Sequence, residues 1–193
     1  MRIRVSLNKN SIDNAQRQLK KAKEQIKKML DEFYYECYEF FVARANEKLS
    51  LSEIGSLVKE DIQTSWEFVK TANGAKFVNS SDKSVYVEFG VGIVGEANPH
   101  PNAEETSYEY DKDSPYKTWD RSWYFYTNSN ELDLPLSALT DIRGYDDHRG
   151  NKGKRLIVGT QGTKGVWYAF NALEDLRAEL PKIWLKVKQK YWR

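Results

Sequence analysis

The sequence holds 193 residues with a formal net charge of +2 and a single cysteine, and 13% of it is aromatic. That length suits one domain with a real core, the near-neutral balance offers no broad basic field for non-specific nucleic-acid binding, and the lone Cys37 excludes an intramolecular disulfide and every multi-cysteine zinc arrangement. The start, Met-Arg-Ile-Arg-Val-Ser-Leu, lacks the apolar run of a signal peptide and no stretch reaches bilayer-spanning length, so the expectation is a soluble, intracellular chain with no membrane association.

In chain order, Ile3, Val5 and Leu7 alternate with polar residues and predict a short strand. Ser11 is then placed as the N-cap of a long helix running to Asn46 or Leu49. Its apolar positions, Ile12, Ala15, Leu19, Ala22, Ile26, Met29, Phe33, Cys37 and Phe40, step by threes and fours. The first half of this helix is basic (Arg17, Lys20, Lys21, Lys23, Lys27, Lys28) and the second acidic (Asp31, Glu32, Glu36, Glu39), an order that opposes the helix dipole. Tertiary packing must therefore hold it, and a length of about 30 residues predicts that part of it packs on a partner chain. Cys37 reads as a small core residue on the apolar stripe.

Ser50 to Glu60 reads as a turn with a short helix around Gly55-Ser56-Leu57. Ile62 to Lys70 and Ala75 to Ser80 flank Asn73-Gly74 and predict a hairpin. Val85 to Phe89 fits a third strand or a short helix. Residues 96–158, rich in Pro, Asn, Asp, Tyr and Gly, are expected to form an extended insertion within a single 1–193 domain. Inside it, Ser122 to Thr127 predicts a strand and Asp141 to Lys154 a mobile, solvated loop. Beyond Gly165, the stripe Ala169, Leu173, Leu176, Leu180, Ile183, Val187 and Tyr191 predicts a last helix, kinked at Pro181 instead of broken there. The fold class is α+β: a small twisted antiparallel sheet packed by a long N-terminal helix and a C-terminal amphipathic helix.

Gly90, Gly92 and Gly95 have the spacing of the dinucleotide-binding fingerprint, which needs a helix to open within the motif and present its N-H groups to a pyrophosphate. Pro99 and Pro101 keep Asn98 and His100 out of helical conformation, so no helix is expected to start there and run on. The glycines read instead as a hinge between the sheet region and the insertion. No cofactor is expected.

Asp146, Asp147 and His148 are the most enzyme-like cluster, a candidate site for a metal-dependent nuclease. Consecutive residues on a glycine-flanked polar loop do not converge on one centre, and the favoured reading is a solvated loop tip. Glu104, Glu105, Glu109, Asp111 and Asp113, interleaved with Tyr108 and Tyr110, read as an exposed acidic arm, because nothing in the pattern buries a carboxyl for acid-base work. No Gly-x-Ser-x-Gly or phosphate-loop motif occurs. The chain is not expected to be an enzyme. Six tryptophans and twelve tyrosines suit a protein that meets other proteins.

Three segments, taken in order, resemble one known family. They are Gly55-Ser-Leu57, then Val78-Asn79-Ser80 and Ser84-Val-Tyr86-Val-Glu88-Phe89-Gly90-Val-Gly92-Ile-Val-Gly95 with Pro99-His100-Pro101 beyond, and finally Gly162-Thr-Lys-Gly165-Val-Trp167-Tyr168-Ala-Phe170-Asn-Ala172. The order is similar to that of the minor neck, or head-tail joining (connector), proteins of long-tailed bacteriophages. This chain departs from it with Val91 where threonine is common, and with Val166-Trp167-Tyr168 where a Pro-Phe pair is frequent. The resemblance implies a non-catalytic virion protein that forms a homo-oligomeric ring between the portal-adaptor layer and the tail terminator. Such a ring encloses the DNA channel without reading its sequence and is made in the bacterial host cytoplasm. A tail-completion or tail-terminator protein is the alternative within the same class. The residues expected to carry interaction or structure are Tyr86, Glu88, Phe89, Gly90, Gly92, Gly95, Trp119, Trp123, Trp167, Tyr168 and Phe170.

Overall fold

Apolar residues at three- and four-residue steps build helix α1 (Lys9–Ser50). In a computed structural model the described residues are 9–110, 123–128, 139–145, 155–160 and 162–192; the strand expected at Ile3 to Leu7 lies outside them. α1 opens at Lys9, so Ser11 sits inside its first turn and does not cap it. Then follow α2 (Ser56–Thr64), β1 (Trp66–Thr71), β2 (Gly74–Asn79), α3 (Ser84–Phe89), β3 (Gly90–Val91), α4 (Gly92–Ala97) and α5 (Ala103–Thr106). β4 (Trp123–Asn128), β5 (Leu139–Tyr145), β6 (Arg155–Thr160), β7 (Gly162–Lys164) and α6 (Tyr168–Tyr191) complete the order.

The class is α+β, with a long N-terminal helix, antiparallel strands and a C-terminal helix. Among the described residues strand pairing is distributed over three small antiparallel sheets: β1–β2, β3–β7 and β4–β6–β5. Several sequence expectations are corrected here. Ile62 belongs to α2, not to a strand; it is fully buried on that helix's inner face, and the hairpin begins at Trp66. Thr71 pairs with Gly74, so the loop is Ala72–Asn73 and Gly74 already belongs to the ladder. Val85 to Phe89 is helical. Residues 141–145 form part of β5, because their backbone groups pair with β6 from Asp141 opposite Gly159 to Tyr145 opposite Arg155. α6 is one helix with Pro181 inside it. Among the described residues no helix is long and apolar enough to cross a membrane.

α6 lies antiparallel on α1, as three ion pairs record: Lys48 with Asp175 at 2.9 Å, Glu36 with Lys186 at 2.6 Å and Glu32 with Lys190 at 2.7 Å. This resolves the charge order of α1. Its acidic second half opposes its own dipole but faces the basic last turns of α6, whose lysines suit theirs. Between the helices, Cys37, Phe41, Ala45 and Leu49 of α1 meet Ala172, Leu176 and Ile183 of α6, with Ile62 and Val87 closing the core. Cys37 packs in this core, where burial pushes its thiol up to about 11, with the charge of Glu36 adding to it. The hairpin covers α1 through an aromatic layer: Phe41 meets Trp66 edge-on at 5.3 Å, and Tyr38 meets Phe77 at 5.5 Å. The Trp66 indole N-H donates to Asn46 at 3.0 Å, so its polar tip is satisfied where its ring is half-buried.

Hydrogen bonds donated by Lys190 and Tyr191 hold the Glu32 carboxyl below its ordinary value of 4.5. A carboxylate whose folded pKa is depressed stabilises the fold above its unfolded pKa and loses that contribution as pH falls through the lower folded value. Glu32→Gln is therefore expected to flatten the acid side of the stability profile, measured as the urea midpoint from about pH 6 down to about pH 3. An unchanged slope would show that Glu32 does not couple the two helices.

Candidate functional site

Two of the segments that carry the resemblance, Ser84–Gly95 and Gly162–Ala172, meet in space. β3 pairs antiparallel with β7, Gly90 opposite Lys164 and Val91 opposite Thr163, and a bridge between Gly92 and Gly162 extends the pairing. Glycine permits the contact. Gly90 has φ 81° and Gly162 φ 104°, a region other residues rarely adopt. A Cβ on Gly90 would stand 2.5 Å from the Thr163 carbonyl oxygen, and one on Gly162 would stand 2.0 Å from that of Val91.

Helix ends leave N-H groups and carbonyls without intrahelical partners, and here two ends satisfy each other. At the C-terminal end of α3, the carbonyls of Val87 and Glu88 accept the N-H groups of Val166 at 2.8 Å and Trp167 at 3.3 Å. At the start of α6 the N-cap position is Trp167, which has no side-chain acceptor to offer. Glu88 supplies it: its Oε2 accepts the Ala169 N-H at 2.9 Å, and its Oε1 accepts the Phe170 N-H at 2.8 Å. A carboxylate at a helix N-terminus also complements the dipole.

His100 completes the arrangement. Its Nδ1 accepts the Asn102 N-H at 3.0 Å, which assigns the ring proton to Nε2, and Nε2 donates to Glu88 Oε1 at 3.0 Å. Both side chains are buried. Phe89 stacks on the Tyr108 ring at 4.5 Å and meets the His100 ring, tilted by 35°, at 4.2 Å. The Tyr108 hydroxyl donates to the Gly90 carbonyl at 2.7 Å, and the His100 N-H donates to the Tyr110 hydroxyl at 2.8 Å. Residues 100–110 thus fold back over the Glu88-Phe89-Gly90 element. Beneath it, Tyr168 is buried, and desolvation followed by the nearby charge of Glu88 raises its hydroxyl pKa.

A buried carboxylate paired with a histidine also occurs in nucleophilic catalysis. In this pair each ring nitrogen already has a partner, and both oxygens of Glu88 are taken by N-H donors. The arrangement fixes a chain crossing, with Glu88 bridging His100 and the first turn of α6. Trp167 carries the strain at the crossing. Its φ is 54°, and its buried indole N-H has no acceptor among the described residues, each a cost of about 1–3 kcal/mol that the surrounding contacts must offset.

Glu88, Phe89, Gly90, Gly92, Gly95, Trp167, Tyr168 and Phe170 therefore come together in one place. Tyr86 lies on the outer face of α3, exposed. Trp123 opens β4, paired with Thr160. Trp119, Asp146, Asp147 and His148 lie outside the described residues. The hinge reading of the glycines gives way to a close-packed crossing, since Gly90, Gly92 and Gly95 are buried. A helix does open within the motif, because Gly92 begins α4, but it stops at Ala97 before Pro99. The approach a pyrophosphate would need is taken by the chain's own backbone at Thr163 and Gly165.

The sequence reading missed His100, Tyr108, Tyr110 and Gly162 as members of this site. One local signal existed. A helix opening at Trp167-Tyr168 has no Ser, Thr, Asp or Asn to cap it, so an acceptor had to come from elsewhere, and Glu88 interrupts an apolar run. Among the described residues no group of three or more His, Cys, Asp or Glu side chains is arranged to hold a metal ion. No protein-family model, no curated protein and no solved structure matches the chain.

Proposed function

We propose that the chain is a structural virion protein of a tailed phage, forming a ring in the neck that joins the portal and adaptor layers to the tail. The observation that carries this reading is the meeting of its two motif-bearing segments, 81 residues apart from Glu88 to Ala169, in a single hydrogen-bonded crossing. Glu88, Phe89, Gly90, Trp167, Tyr168 and Phe170, which the resemblance singles out, share one physical task, which is to fix the last helix against the Glu88-Phe89-Gly90 element. A ring subunit needs such a rigid body, with surfaces left over for its neighbours. Tyr86, Val85, Leu51 and Leu57 are exposed apolar or aromatic side chains of the kind that anchor interfaces. In this role the protein encloses DNA without contacting bases, consistent with a formal charge of only +2.

Labelling an epitope-tagged chain in assembled particles tests the reading. Label at the head-tail junction, between adaptor and tail terminator, is the expected result. Label on the terminator layer would reassign the chain to tail completion, and its absence from purified particles would overturn the proposal.

A further inference from the structure

The last helical residue of α6 reaches only as far as Gln25 of α1, whose side-chain amide donates to the Tyr191 carbonyl at 2.6 Å. Residues 9–24 of α1 run on past the end of α6 over about 24 Å at 1.5 Å per residue; one side of this arm is covered, since Ala15 is buried, and the other, with Ile12 and Leu19, is exposed. The core stripe does not stop where the core does. Ile12, Leu19 and Ile26 recur every seven residues and remain 41%, 58% and 40% exposed. Beside them the arm is strongly basic: from Lys9 to Lys28 there are seven lysines and arginines against Asp13 and Glu24. Lys20, Lys23 and Lys27 line a groove between the arm and the hairpin tip, together with Glu24, Asp31 and Tyr34.

The complementary surface lies at the other end of the same molecule. From Glu96 to Glu109 the chain has four glutamates and no lysine or arginine, and Glu104, Glu105 and Glu109 are exposed. This segment is tied to the start of α6 through His100 and Glu88, while the arm projects past the end of α6. Because α1 and α6 are antiparallel, the body of α6, about 36 Å long, separates the two. One copy cannot satisfy both surfaces by itself. Val85 and Tyr86 are exposed on α3, whose Glu88 holds His100 of the acidic segment, and offer apolar counterparts to the stripe.

We propose that the arm of one copy docks on the acidic end of a second copy, with its lysines on Glu104, Glu105 and Glu109 and its Ile12, Leu19 and Ile26 stripe on the apolar side chains there. Such a head-to-tail contact uses two different patches and closes into a ring when the rotation per subunit permits. It deepens the ring reading and rests on it for its biological setting.

Two triple variants of the full chain test it by sedimentation velocity: Lys20→Glu, Lys23→Glu, Lys27→Glu on the arm, and Glu104→Lys, Glu105→Lys, Glu109→Lys on the face. All six side chains are exposed, and circular dichroism checks that each variant folds. The wild type is expected to self-associate, less strongly as salt rises, and each variant alone to lose about a hundredfold in association, since like charges then oppose. An equimolar mixture of the two variants is expected to restore it, because each altered arm now faces an altered acidic end of opposite sign. A monomeric wild type, a variant that associates normally, a mixture that fails to recover, or an arm that binds only DNA or another acidic protein would overturn the inference. None of these bears on where the chain sits in the particle, which the labelling experiment decides separately.

Discussion

Glu88→Ala is expected to lower the free energy of unfolding by about 3–5 kcal/mol, the range for removing one partner of a buried pair. Alanine would leave the N-H groups of Ala169 and Phe170 and the Nε2-H of His100 without their acceptor. Each orphaned buried donor costs about 1–3 kcal/mol, and the total stays below the sum because the first turn of α6 can fray toward water. Glu88→Gln has one carbonyl oxygen for three donors and is expected to cost about 2 kcal/mol. His100→Ala leaves both backbone bonds to Glu88 in place and should cost less than Glu88→Ala. Urea unfolding of the three variants gives the order, and amide exchange at Ala169 and Phe170 gives the location: it should rise selectively in Glu88→Ala. A cost within about 0.5 kcal/mol, as for an ordinary surface change, would mean that the first turn of α6 does not depend on Glu88.

Gly162→Ala carries the other large effect. The methyl group would lie 2.0 Å from the Val91 carbonyl oxygen, and φ would be held at 104°. The left-handed conformation alone costs about 1–3 kcal/mol for a residue with a side chain. The overlap is with backbone, which cannot swing aside as a side chain can, so β3 and β7 must separate. A total of about 4 kcal/mol or more is expected, read as a shift of the urea midpoint. The comparison that isolates the cause is Gly74→Ala. Its added carbon would meet only the Tyr34 ring at ordinary contact distance, 3.9 Å from the hydroxyl, so it should be nearly neutral. Equal losses at the two positions would argue that chain entropy, and not the close crossing, is responsible.

The two variants act on the same crossing from opposite sides, and they need not add. Glu88 and Gly162 lie on segments joined by the β3–β7 pair, and residues in one network couple. If the crossing is a single cooperative unit, the double variant should cost less than the sum, since either change already opens it. For a ring subunit, opening the crossing would release the last helix from the Glu88-Phe89-Gly90 element, so these variants should lose assembly together with stability. A variant such as Tyr86→Ala, on the exposed side of α3, should spare folding.

Much of the architecture was legible locally. The long first helix, the hairpin, the strand after Ser122 and the last helix each follow from a repeat of 3.6 or 2.0 residues read within a short window. The errors fall where windows end or compete. Ile62 was assigned to a strand because an isolated apolar residue carries no period. Residues 141–145 were assigned to a loop because Asp, Arg and Gly are poor strand formers, yet β6 supplies a partner for their backbone groups. The spacing of Gly90, Gly92 and Gly95 fits several backbone tasks, and the proximity of Gly162 selects one.

By itself the sequence determined the class, the two amphipathic helices and a glycine-rich turn that must do something other residues cannot. It also set the charge order of α1, which looked unfavourable against that helix's own dipole. Only the tertiary structure decided that the acidic half faces Lys186 and Lys190, that Glu88 caps a helix starting about 80 residues later, and that His100 holds Glu88 in place. The physical reason is one of range. Periodicity is a property of neighbouring residues, whereas the partners that satisfy a helix end or a buried carboxylate are chosen by which chain segments pack together.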